Sequence, residues 1–233
     1  MMTIKTQRLA VALLVALACC APAATTSRQP ATAPPVNTVE TAIASDATAD
    51  SLLVDVREVD PTIVVEMRYA TPNNFTGAPL PGYLANRAFL RREAAAALGR
   101  VQGRLRTEGL SLKVFDAYRP VRATLAMVDW TQRVNRPDLL ADGYIASRSR
   151  HNLGLAIDLT LIELTSGREL EMGTPFDTFS SAAHTENASG EPAANRQKLK
   201  RAMEAERFTN YDQEWWHFSF DLPNPLRFNR VIQ

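Results

Sequence analysis

The sequence predicts an α+β fold: a single domain with a largely antiparallel central sheet flanked by helices. Three observations carry this expectation. Strand-like and helix-like segments are mixed without regular βαβ alternation. No internal repeat is present, and the 233 residues are enough for one sizeable domain with its own core. Hydrophobic content of 45% is ordinary for a globular protein.

The elements follow in order. In "SLLVDVREVDPTIVVEMRYA" the alternation through Val54 and Val56 suggests a strand that opens the domain. "TPNNFTGAPLPGY" at 71–83 is a Pro/Gly/Asn loop. "RAFLRREAAAALGRVQGRLRTEG" has apolar residues at helical spacing and ends at Gly109. "LSLKVFDAY" alternates as a strand that Pro120 would end, and "RATLAMVDWTQRV" reads as a second helix. "GLAIDLTLIEL" is a strongly apolar strand, and "TSGREL" turns the chain back. "PAANRQKLKRAMEAERF" is a third helix with one charged face, and "EWWHFSFDL" is a final aromatic strand.

Residues 1–23 read as an export signal rather than as part of the fold. Lys5 and Arg8 precede the apolar run "LAVALLVALACC", and small residues follow. The run is shorter than the roughly 20 residues of a membrane span. Both cysteines, Cys19 and Cys20, lie at its end, so a chain processed beyond them has neither a disulfide nor a thiolate metal ligand. "ALAC" ending at Cys19 resembles a lipoprotein signal, with Ala16 where that signal usually has Leu, and "APA" at 21–23 equally suits an ordinary signal peptidase. Lipid-anchored and soluble export therefore both stand, and either takes the protein out of the cytoplasm. Residues 24–50, rich in Ala, Thr and Pro, read as a flexible linker, with the folded domain over 51–233. A formal charge of +1 without a basic stripe argues against a nucleic-acid partner.

Only three histidines occur: His151, His184 and His217. "SRSRHNLGLAIDLTL" places His151 seven residues before Asp158, and "DQEWWHFSF" places Glu214 three residues before His217. Two imidazoles and one carboxylate make a zinc ligand set that leaves a fourth position open. A neighbouring carboxylate that is not a ligand could take a proton from water, and Glu214 is the candidate. Spacing alone does not decide the matter: a His or Asp beside a strand is more often a hydrogen-bonded structural residue, and two tryptophans most often mean core. His184 sits in the polar stretch "SSAAHTENASG" and is not counted as a ligand.

A family resemblance goes further. "SRHNLGLAID" is similar to the Ser-x-His-x-x-x-x-x-x-Asp motif of the D-alanyl-D-alanine dipeptidases, the VanX-type zinc peptidases, and "EWWH" to their Glu-x-Trp-His motif. "DAYRP" at 116–120 resembles the segment carrying their catalytic arginine. "RYATPNNFTGAPLPGY" and "MGTPFD" resemble two substrate loops, and the segments keep the family's order from about residue 50 to residue 220. The resemblance implies one Zn²⁺ per chain at the sheet, held by His151, Asp158 and His217. It implies Glu214 as the general base and Arg119 as the group that stabilises the oxyanion, with Asp116 holding Arg119. The implied substrate is a small dipeptide with a free amine facing Asp177 and Tyr69, and a free carboxylate facing Ser149 and the Tyr83 backbone. An exported member suggests a role in cell-wall turnover. The competing readings are a D,D-carboxypeptidase or endopeptidase acting on peptidoglycan stems, which needs a cleft open at the amine side, and a non-catalytic zinc module, against which Glu214 and Arg119 both argue. The tail "DLPNPLRFNRVIQ" carries no recognised motif.

Overall fold

The computed structural model describes residues 42–233. The expected export signal, with its two cysteines, and residues 24–41 of the expected linker lie outside them. The chain runs β1 (Ile43–Ala44), α1 (Asp46–Leu52), β2 (Leu53–Asp55), α2 (Val56–Val59), β3 (Val64–Val65), β4 (Phe89–Arg91), α3 (Arg92–Thr107), β5 (Leu110–Asp116), α4 (Val121–Arg133) and α5 (Asp138–Ala141). It continues through β6 (Ala156–Glu163), α6 (Gly190–Glu204), β7 (Phe208–Asn210), β8 (His217–Phe220) and β9 (Arg227–Phe228). No described helix is long and apolar enough to cross a membrane.

The central sheet has five strands in the order β3-β5-β6-β8-β7. Only the β3–β5 pair is parallel, so the sheet is largely antiparallel and the fold is α+β, as expected. β6 reads as a continuous apolar run because it is central: seven of its eight residues are buried. α3 packs an Ala/Leu/Val face (Ala94, Ala97, Leu98, Val101, Leu105) into the core and shows arginines to solvent. Gln102, fully buried on that face, is satisfied by the backbone N–H of Leu112 at 2.9 Å and by the Ser111 hydroxyl at 2.8 Å.

Three expectations need correction. First, ordered structure begins before residue 51. Ser45 caps α1 by accepting from the Thr48 N–H at 3.2 Å, Ala49 is buried, and β1 pairs in parallel with β9 at the opposite end of the chain. The linker-like composition conceals this because the partner strand is far away in sequence. Second, Val54 and Val56 do not share a strand. The Asp55 carboxylate accepts from the Arg57 N–H at 3.0 Å, so Val56 opens α2 instead. Third, Phe89–Arg91 at the head of the expected helix is β4, antiparallel to β2, and Phe208 at the foot of the third helix belongs to β7. The tail also has a structural role: Ile232 bridges Tyr83, and the Arg230 carbonyl accepts from the Tyr118 hydroxyl at 2.8 Å.

Candidate active site

Strand register builds half of the site. Asp116 on β5 lies opposite Asp158 on β6, and Asp158 lies opposite His217 on β8. Three neighbouring strands thus set two carboxylates and an imidazole in one row across the sheet. A register irregularity between Val114 and Asp116 re-aims the end of β5 at this row. His151 enters from a 3₁₀ turn, Arg150–Leu153, just before β6. Ser149 caps that turn, accepting from the His151 N–H at 3.2 Å, and Gly154 ends it at φ +63°. A Cβ on Gly154 would lie 2.5 Å from Leu53 Cδ2, so the turn packs against β2 only because the position is glycine.

The donor atoms converge. His151 Nε2 lies 3.2 Å from His217 Nδ1 and 3.4 Å from Asp158 Oδ2, and His217 Nδ1 lies 2.9 Å from Asp158 Oδ1. A tetrahedral zinc with bonds of about 2.0–2.1 Å holds its ligand atoms about 3.3 Å apart. The contacts run from 2.9 to 3.4 Å, those of Asp158 being made by its two different oxygens, and one donor atom from each residue lies close enough to the other two to share an ion. His151 Nδ1 lies 2.6 Å from the Ala117 carbonyl oxygen, which can only accept. Nδ1 therefore carries the proton and Nε2 presents its lone pair to the centre. Burial holds the His217 imidazole below its ordinary pKa and so favours the neutral form a metal requires. Burial works against the charge of Asp158, but His151 and His217 outweigh it and keep the carboxyl below its usual range. Two neutral nitrogens and one anionic oxygen thus fit a zinc ion.

Around this trio stand two further charged groups. Glu214 is buried, with Oε2 3.9 Å from His217 Nδ1. Burial first, then the charges of Asp158 and Asp177, push its carboxyl well above the ordinary range. Arg119 is held by Asp116 through Nε at 2.9 Å and Nη2 at 2.8 Å, and its guanidinium lies over the Tyr69 ring, 5.0 Å from the centroid. Burial disfavours the Arg119 charge, yet Asp116 outweighs it and keeps the guanidinium ionised. The buried Asn152 fixes the arginine from the other end, donating to the Arg119 carbonyl at 2.8 Å and to the Thr124 hydroxyl at 2.9 Å.

A cavity of ≈ 330 Å³ opens onto these groups. Tyr69, Arg119, Ser149, His151, Asp158, Asp177, Glu214 and His217 all line it. Asp177 has φ +61°, a left-handed conformation uncommon outside glycine, and its carboxylate accepts from the Tyr69 hydroxyl at 3.0 Å. Burial, and then the charge of Asp158, raises the Asp177 carboxyl well above its ordinary range. Two residues of the expected substrate set are not on the wall. Asp116 is fully buried behind Arg119, and the Tyr83 hydroxyl donates to it at 2.6 Å. The Tyr83 backbone N–H already donates to the Leu80 carbonyl at 3.3 Å. Asp116 stands a layer back because it is spent on Arg119, and Tyr83 because its hydroxyl is bound to Asp116 and its ring packs against that of Tyr69. His184 is outside the donor trio, with its Nε2 3.2 Å from the Tyr144 hydroxyl.

Sequence reasoning missed several wall and support residues. Phe75, Tyr144, Arg148, Phe179, Tyr211 and Ser219 line the cavity, and Asn152 and the Ala117 carbonyl brace it. Asn152 sits inside the quoted histidine motif, but its partners Arg119 and Thr124 lie about thirty residues upstream, so no local signal marks it.

An open three-donor metal centre with a carboxylate and a guanidinium beside it, set on an α+β sheet, is the site of a metallopeptidase. The chain belongs to the Peptidase_M15 family, whose model, described as D-ala-D-ala dipeptidase, matches residues 49–230. It is similar to the D-alanyl-D-alanine dipeptidase of Streptomyces coelicolor, 37% identical over 194 residues that cover 76% of this chain and 95% of the relative. The D-alanyl-D-alanine dipeptidase of Enterococcus faecium is 35% identical over 176 residues, covering 69% of this chain and 87% of that one. The Escherichia coli D-alanyl-D-alanine dipeptidase is 35% identical over 173 residues, covering 73% and 84%. The family resemblance drawn from the motifs is therefore correct.

Proposed function

We propose that the chain hydrolyses D-alanyl-D-alanine to two D-alanines, using one zinc ion per chain held by His151, Asp158 and His217. The observation that carries this reading is the spacing of the three donor atoms beside a buried, non-ligating Glu214. The related dipeptidases supply the substrate class. Zinc, when bound, supplies a Lewis acid that polarises the scissile carbonyl and lowers the pKa of water.

The chain's own groups do the rest. Glu214 takes a proton from the attacking water and delivers it to the leaving amine. Its raised pKa suits both roles, because a carboxyl poised nearer neutrality gives a proton back more readily than an ordinary glutamate does. Arg119 donates to the substrate oxygen as the carbonyl becomes tetrahedral, and Asp116 holds it there before substrate arrives, so little reorganisation is needed. Asp177 receives the free ammonium group, which restores the ionised carboxylate that burial disfavours. Tyr69 orients Asp177 through its hydroxyl. Ser149 offers a hydroxyl at the wall.

The test is an assay of zinc-loaded protein with D-Ala-D-Ala and with its N-acetyl derivative. Hydrolysis of the first and rejection of the second is expected, since acylation removes the charge and leaves Asp177 without a partner. A comparable kcat/KM on both would move the assignment to a carboxypeptidase acting on cell-wall stems. We also propose that the protein acts outside the cytoplasm, in cell-wall turnover, on the strength of the signal-like residues 1–23. Mass analysis of the mature N-terminus distinguishes lipidation at Cys19 or Cys20 from cleavage after Ala23, and an unprocessed Met1 would refute export.

A further inference from the structure

A dipeptide with two free ends needs charges of both signs in its site. Six charged side chains line the cavity: Arg119, Arg148, Arg150, Asp158, Asp177 and Glu214. The acidic end is accounted for by Asp177, whose carboxylate has, among the described residues, only the Tyr69 hydroxyl as a partner. Of the three arginines, two are committed. Arg119 is bound to Asp116. Arg150 donates to the Phe220 carbonyl and is paired with Asp221. Arg148 is different. Among the described residues its side chain makes no ion pair and no hydrogen bond, and it stands exposed on the cavity wall next to Ser149.

We propose that Arg148 binds the C-terminal carboxylate of the substrate and so makes the enzyme selective for a free C-terminus. This rests on the dipeptidase reading above and deepens it. The physical need is clear. A carboxylate entering this cavity meets three carboxylates on its walls, and the neutral hydroxyls there, Ser149 among them, bring no positive charge to offset them. An uncommitted guanidinium on the segment that carries Ser149 supplies the missing positive charge and a two-pronged donor suited to a carboxylate. Its exposure suits the role: a group at the cavity mouth can capture an incoming anion and release the product, whereas Arg119 is locked in the wall.

The experiment compares wild-type, Arg148→Ala and Arg148→Lys holoenzymes on D-Ala-D-Ala and on D-alanyl-D-alaninamide, which lacks the negative charge. The amide is read as a substrate where it turns over and as a competitive inhibitor where it does not. Arg148→Ala is expected to raise KM for the free dipeptide about tenfold, the size of a charge-assisted contact at a partly exposed site, with kcat nearly unchanged. KM or Ki for the amide should stay put, and Arg148→Lys should recover most of the loss. Zinc content and thermal midpoint of each variant confirm that the metal centre and fold are intact. A KM for the free dipeptide within about twofold of wild type, or an equal rise on the amide, overturns the carboxylate role. Absence of D-Ala-D-Ala hydrolysis by the wild-type holoenzyme overturns the dipeptidase reading, and the role of Arg148 with it.

Discussion

The strand row and the loops meet at one cavity but are built on different terms. Asp116, Asp158 and His217 are placed by backbone register across β5, β6 and β8, where a slip of one residue would turn each side chain to the other face of the sheet. Asp177 and Arg148 are placed by loops, one through a left-handed backbone and the other through an exposed turn. The contrast teaches a division of labour. The part of the site that must hold atoms within tenths of an ångström is tied to the core. The part that must admit, sort and release a substrate is carried by segments with fewer constraints.

That division can be broken first at the sheet. His217→Ala removes one of three donors, so the variant is expected to lose its zinc and all measurable turnover. Metal analysis of the purified protein is the check, and full stoichiometry in this variant would overturn the ligand assignment. Glu214→Ala separates metal holding from chemistry. The side chain is not a donor in the trio, so zinc should remain while kcat falls by about 10²–10⁴-fold, the usual worth of general acid–base catalysis. Near-normal turnover would mean that another group handles the proton.

The loop half should fail more gently. Asp177→Asn keeps the shape and the Tyr69 contact but removes the charge that receives the ammonium group. Zinc content should be unchanged, and kcat/KM for free D-Ala-D-Ala should fall by roughly ten- to a hundredfold, the span of a charged hydrogen bond. Whatever residual turnover the N-acetyl derivative shows, or its Ki as a competitor, should be much less affected. An equal fall on both substrates would assign Asp177 to structure rather than selection.

The smallest effect sharpens the link between the halves. Glu214 must be ionised to act as a base. Its pKa is raised by burial and by the charges of Asp158 and Asp177, so the protonated, inactive form persists to a higher pH than for a free glutamate. The acid limb of the kcat/KM profile should therefore lie above the ordinary glutamate value of about 4.3. Removing one of those charges in Asp177→Asn should move the limb toward lower pH. An unmoved limb would show that the loop carboxylate and the general base are electrostatically independent.

Much of this was legible in one dimension. The motif segments put both histidines, Asp158, Glu214, Arg119 and Asp177 on the page with their family, because each lies within a short, ordered stretch. The periodicities of α4, β5 and β6 are local too, and they emerged close to their observed limits, whereas that of α3 took in β4 at its head. What the sequence by itself determined was which groups are available and the order in which they come. Tertiary structure decided how each is committed. Three arginines reach the cavity, and no local signal tells the two paired ones from the free one, because Arg150 finds Asp221 some seventy residues away and Arg119 depends on packing against Asp116 and Tyr69. Tyr83 and Asp116 fall behind the wall for the same reason, and the segment before residue 51 finds its strand partner only where β9 returns from the far end of the chain to pair with β1. Periodicity reports what a segment can bury. Whether a charge is spent, a tyrosine faces the cavity or a polar stretch folds depends on partners that only the closed chain brings within reach.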